Sequence, residues 1–213
     1  MPVSGAWQPG DPAGARSFAS VFVEAPLALD LGGTLGPVTV AYETWGRPSP
    51  GRDNAVLVLH ALTGDSHAAG AVGPGHPTPG WWGPLIAPGG PIDTDRWWVI
   101  CPNVLGGCQG TTGPSSTAVD GRPWASRFPA VTVRDQVAVE AALADELGIR
   151  RWAAVIGGSM GGMRALEWAV MFPDRVERLV VLACGAAATA EQIALCAVQA
   201  QAIRLDPAFS DGD

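Results

Sequence analysis

Six consecutive residues, Gly157-Gly158-Ser159-Met160-Gly161-Gly162, set one serine among four glycines in a G-x-S-x-G pattern. The pattern lies between an apolar run and an amphipathic stretch, where a strand turns sharply into a helix. Such a turn holds a hydroxyl proud of the sheet, and flanking glycines let strand and helix approach. Ser159 is therefore the candidate nucleophile. The N–H of Met160, at the start of the helix, is free to bind a developing oxyanion, and the helix N-terminus favours negative charge there. A second such donor belongs in the loop after the strand that ends at His60, which reads His60-Ala61-Leu62-Thr63-Gly64-Asp65-Ser66-His67. Leu62 is the candidate, through its backbone, with Leu62, Thr63 and Gly64 as candidate substrate contacts.

Other residues invite chemistry and are read more plainly. His60, His67 and His76 all precede Ser159, whereas a base serving this kind of turn follows it in the chain; structural or loop-shaping roles are expected for the three. The glycine-rich Leu105-Gly106-Gly107-Cys108-Gln109-Gly110-Thr111-Thr112-Gly113 lacks the G-K-[ST] of a phosphate loop, and the chain contains no lysine. Cys108 has no assignable partner histidine. The four cysteines show no metal-binding spacing and are expected to be buried, reduced thiols, with no metal site. The Trp81-Trp82 and Trp97-Trp98 pairs are read as packing residues. Arg164 and Glu167 are assigned to a solvated helix face.

The elements that must position these groups follow from periodicity. Continuous apolar runs at residues 55–60, 97–101, 152–156 and 179–183 have the length of strands covered on both faces. Alternating segments at 27–31 and 38–42 read as half-buried strands around a glycine-rich turn. Helical spacing marks residues 133–147, closing at Gly148, and then 160–171 and 188–204. Strand and helix in alternation imply an α/β fold with a parallel sheet. Two long connections, 61–80 and 103–131, leave the carboxyl ends of strands, where such sheets bind ligands, and are expected to form the site. Residues 1–17, rich in Gly, Pro and Ala, read as a flexible tail before one domain spanning 18–213.

Composition narrows the classes. Net charge is −7, with all thirteen basic residues arginine and scattered, so nucleic-acid binding is disfavoured. No apolar run reaches the roughly 18 residues of a membrane span, and the N-terminus lacks a secretory pattern. A cytoplasmic protein is expected.

Taken together, four stretches resemble the homoserine O-acetyltransferases, enzymes of methionine biosynthesis with the α/β-hydrolase fold. They are residues 60–67, residues 103–116 (Asn103-Val104-Leu105-Gly106-Gly107-Cys108 through Ser116), Phe128-Pro129 with Thr132-Val133-Arg134-Asp135, and residues 157–168. The resemblance runs from about Leu27 onward. It implies a mostly parallel sheet with helices on both faces, and acyl transfer through an ester on Ser159. Acetyl-CoA would be the donor and L-homoserine the acceptor, with no bound cofactor and a homodimer for the full-length enzyme. Succinyl-CoA as donor, serine as acceptor, ester hydrolysis, or a non-catalytic binding domain are the alternatives.

One departure stands out. The family's acid and base, an Asp and a His, lie well downstream of the nucleophile, and no histidine follows Ser159 here. The helical lid and last strands of the family are missing too. The chain is accordingly expected to be the N-terminal part of the fold, incomplete at its C-terminus, inactive alone and poorly soluble.

Overall fold

The computed structural model describes residues 5–209. Its main sheet has six strands: β1 (Ser17–Val21), β2 (Val38–Trp45), β3 (Ala55–Leu59), β4 (Trp98–Pro102), β5 (Ala154–Gly158) and β6 (Leu179–Leu182). Their order is β1-β2-β4-β3-β5-β6. The four strands β4, β3, β5 and β6 run parallel, while β1 and β2 are antiparallel additions. Short pairs at Leu27–Ala28 with Thr34–Leu35, and at Ile86–Ala87 with Ile92–Asp93, lie outside this sheet. The helices are α1 (Val133–Glu146), α2 (Met160–Met171) and α3 (Ala190–Arg204).

Strand β3 is buried along its whole length, and its alternation splits the core. Ala55, Leu57 and Leu59 face α1 and α2 together with Val137, Ala141, Trp152, Ala165 and Trp168. Val56 and Val58 face the opposite way, toward Ala68, Ala69, Ile86, Val99 and Cys101, with Trp45, Trp81, Trp82 and Trp97 packed around them. The tryptophan pairs thus serve packing. This second face is covered by the connection between β3 and β4, not by a helix. Helices α1 and α2 share the first face.

Several boundaries move. Strand β1 begins at the last residue of the expected tail, where Ser17 already pairs with Tyr42. Ahead of it, the N–H of Trp7 donates to the carbonyl of Cys108, and the Trp7 ring lies 5.0 Å from that of Phe18. Arg16 is buried as well. Residues 5–16 are therefore packed on the body, and residues 1–4 lie outside the described ones. The strand expected at 27–31 shrinks to Leu27–Ala28.

The 103–131 connection has a structural task beyond shaping a site. Thr111 Oγ1 accepts from the Ala41 N–H and Thr112 Oγ1 from the Thr39 N–H, each at 2.9 Å. They satisfy the stretch of β2 that reaches past β4.

Candidate active site

Ser159 joins β5 to α2 with φ 54° and ψ −122°, a conformation that L-residues rarely adopt. Its N–H donates to the carbonyl of Leu182 on β6 at 3.0 Å, which ties the turn to the neighbouring strand. The side chain is exposed. Gly157 and Gly161 make this turn possible. A Cβ on Gly157 would come 2.1 Å from the Gly161 carbonyl oxygen, and one on Gly161 would come 2.0 Å from that of Leu59. Gly158 differs, since its nearest contact would be an ordinary 3.8 Å.

The same crowding brings the first turn of α2 against the carboxyl end of β3. There the chain passes from His60 into a tight turn closed by the Gly64 N–H on the Ala61 carbonyl at 3.0 Å. Leu62 and Thr63 form its exposed apex. The structure thus brings the β3 loop to the elbow that carries Ser159 and Met160. The N–H groups in the first turn of α2 have no carbonyl behind them within the helix.

None of the three histidines is poised to serve Ser159. The ring of His60 is buried, its Nε2 accepting from the Val104 N–H at 3.0 Å and its Nδ1 facing the Ala61 carbonyl at 2.8 Å. Burial, aided by the nearby Arg164 charge, lowers its pKa to about 3. His67 Nδ1 donates to Glu43 Oε2 at 2.9 Å, and His76 Nε2 accepts from the Ala15 N–H at 3.0 Å.

Glu43, His67 and His76 offer ligand atoms within 4.8 Å of one another, the one such group among the described residues. The two rings, however, stack at 3.8 Å with planes 12° apart, so their in-plane lone pairs run side by side instead of converging. Ser66 also donates to Glu43, and the buried Arg16 lies beside Asp65. This fits a hydrogen-bonded cluster that shapes the loop better than a cation site.

Two expectations need correction. Arg164 is fully buried, not solvated. Its Nη1 donates to Glu140 Oε1 and its Nη2 to the carbonyl of His60, both at 2.6 Å, while Trp168 Nε1 donates to Glu140 Oε2 at 2.7 Å. Burial raises the pKa of Glu140, and the guanidinium opposes that rise. Sequence held the signal: Arg164 stands four residues before Trp168, and Glu140 sits between Val137 and Ala141 on the apolar face of α1. Glu167, by contrast, stays near the surface with Arg134 at 3.4 Å. Nor are all the thiols buried. Cys101 is buried, and its pKa is raised by that burial; Cys108 and Cys196 are exposed.

The fold that carries this elbow is identified by comparison with known proteins. A family model for the alpha/beta hydrolase fold matches residues 54–207. The chain belongs to the α/β-hydrolase family. Over 212 residues it is 62% identical to the homoserine O-acetyltransferase of Clavibacter michiganensis subsp. michiganensis, covering 100% of this chain and 54% of that protein. It is 61% identical over 213 residues to the one from Thermobifida fusca, covering 56% of it. The chain spans about half the length of the curated relatives it matches. Among solved structures, homoserine O-acetyltransferase from Bacillus anthracis matches with TM-score 0.84 and 34% identity, covering 93% of this chain and 54% of that one. Esterase E22 matches equally well, with TM-score 0.84 and 35% identity, over 92% of this chain and 55% of that one. For an α/β-hydrolase, Ser159 occupies the position where the fold presents its nucleophile.

Proposed function

We propose that this chain is the nucleophile-bearing part of a homoserine O-acetyltransferase. The observation that carries the reading is the 62% identity to a protein of that name along the chain, elbow included. Ser159 Oγ attacks the thioester carbonyl of acetyl-CoA, CoA leaves as the thiol, and the acetyl group rests as an ester on the serine. The γ-hydroxyl of L-homoserine then attacks that ester and carries the acetyl group away, returning the serine. The N–H groups of Met160 and Leu62 stabilise both tetrahedral intermediates, each donor accounting for roughly 10²–10³ in rate. The exposed turn at Leu62, Thr63 and Gly64 contacts the substrate. Methionine synthesis in the cytoplasm, as a homodimer, is the setting proposed for the whole enzyme.

On this reading the base is a histidine that follows the nucleophile in the chain, and His60, His67 and His76, which all precede it, are not given that role. A serine hydroxyl without a base is a weak nucleophile, and losing triad members costs about 10⁴–10⁶-fold. Esterase activity is the second reading, favoured by the equal structural match to esterase E22.

The product of the complete reading frame should release CoA from acetyl-CoA only when homoserine is present, and Ser159→Ala should abolish release. The 213-residue chain alone should give none. Release that ignores homoserine would favour the esterase, and activity surviving Ser159→Ala would overturn the proposal. Faster turnover of succinyl-CoA would change the donor.

A further inference from the structure

An oxyanion hole works only if its two donors converge on one oxygen, 2.7–3.1 Å from each. Here the donors come from different elements. Met160 opens α2, whereas Leu62 lies in the turn after β3. Van der Waals contact at Gly161 sets how near the two elements come, yet it leaves them free to slide.

We propose that Arg164 is a positioning residue that locks the oxyanion-hole loop to the nucleophile helix. It stands one helical turn after Met160, and its Nη2 grips the His60 carbonyl, two residues before Leu62, at 2.6 Å. The other end of the guanidinium is held by Glu140 on α1 at 2.6 Å, and Trp168 on α2 fixes that carboxylate at 2.7 Å. The brace thus links α1, α2 and the end of β3 through four hydrogen-bonded groups. His60 completes it from the other side, because its ring accepts the Val104 N–H and so anchors the same residue to the segment after β4.

Stability alone gives little reason for this arrangement. A buried ion pair is often no better than an apolar pair of the same volume, because desolvation offsets the attraction. Arg164 is fully buried, and its Nε lacks a partner. A lysine could not replace it fully, since a point charge does not span two acceptors as a planar fork does.

The inference rests on Ser159 being the nucleophile, so the experiment reads the two separately. In the product of the complete reading frame, the p-nitrophenyl acetate acylation burst is measured for wild type, Ser159→Ala, Arg164→Lys and the pair Glu140→Gln with Arg164→Met. The paired variant leaves neither charge at the brace, and its glutamine oxygen still accepts from Trp168. Amide hydrogen exchange is followed in the same proteins. The paired variant should acylate about 10–100-fold more slowly, with KM within twofold of wild type, and Arg164→Lys should recover part of that loss. Exchange should accelerate at residues 61–64 and not across the sheet.

An unchanged acylation rate in the folded paired variant would overturn the brace, as would a lowered unfolding midpoint with normal kcat. If wild type shows no burst that Ser159→Ala removes, the reading of Ser159 fails instead. Exchange at residues 61–64 then decides the brace alone, and equal rates in wild type and the paired variant would refute it.

Discussion

Ser159 is held in its strained conformation by neighbours and not by its own preference. The φ of 54° costs roughly 1–3 kcal/mol, and the ladder bond to Leu182 and the glycine contacts on both sides offset it. His60 shows the same dependence on surroundings. Its Nε2 must stay unprotonated to accept from Val104, and burial lowers its pKa to about 3. The ring of His60 should therefore show no NMR titration step between pH 8 and pH 5; a step near pH 6.5 would mean that the ring is solvated. The linkage has a definite sign. A folded-state value below the unfolded one makes the contribution of His60 whole above about pH 6.5. It is lost as pH falls toward 3, at up to ~1.4 kcal/mol per pH unit. The elbow at Ser159 was legible from four glycines around one serine. The burial of Arg164 was written more faintly, in its four-residue spacing from Trp168 and in Glu140 on the apolar face of α1, because charge type by default assigns an arginine to the surface.

At the scale of elements, α1 is fixed at its start more firmly than its apolar spacing suggests. Thr132 and Asp135 form a reciprocal capping box, with Asp135 Oδ2 accepting from the Thr132 N–H at 2.7 Å. Asp135 Oδ1 also accepts from the Asp30 N–H at 2.8 Å, so the cap doubles as a tie to the turn after Leu27–Ala28. Thr132→Ala should cost ~1 kcal/mol, as lost caps do. Asp135→Ala should cost more, by about 1–3 kcal/mol, because it leaves a second N–H without its acceptor. Urea midpoints for the two variants compare them, and equal losses would show that the Asp30 bond contributes nothing. The parallel strands and three helices were legible because buried apolar runs and helical spacing are local signals. Strand β1 was not, since Ser17–Val21 is exposed over most of its length and is defined by its pairing with β2. The cover of the second face was harder to read for a related reason. The connection after β3 has no helical period, yet its tryptophans provide the apolar cover that a helix would supply.

The whole molecule buries its apolar surface unevenly. Among the described residues, strand β6 pairs with β5 on one side alone, and its Leu179, Val180 and Leu182 are 36%, 39% and 43% exposed. Helix α3 has no buried residue, with Ile193, Leu195, Val198 and Ile203 all exposed. An unpaired parallel edge with apolar side chains is a template for pairing with another chain. The net charge of −7 opposes such contact, but α3 contributes only Glu191 and Arg204, of opposite sign. Charge repulsion is thus weakest where apolar exposure is greatest. The 213-residue chain by itself should associate as its concentration rises, with sedimentation coefficients that grow over a micromolar series. Val180→Lys, which places a charge on the open edge without touching the core, should reduce that growth. A monodisperse chain that melts cooperatively at every concentration would show that β6 and α3 find cover within the chain itself. Association that Val180→Lys leaves untouched would instead place the sticky surface on α3. The pairing edge and the helix would then have to be weighed as separate surfaces, with the helix dominant.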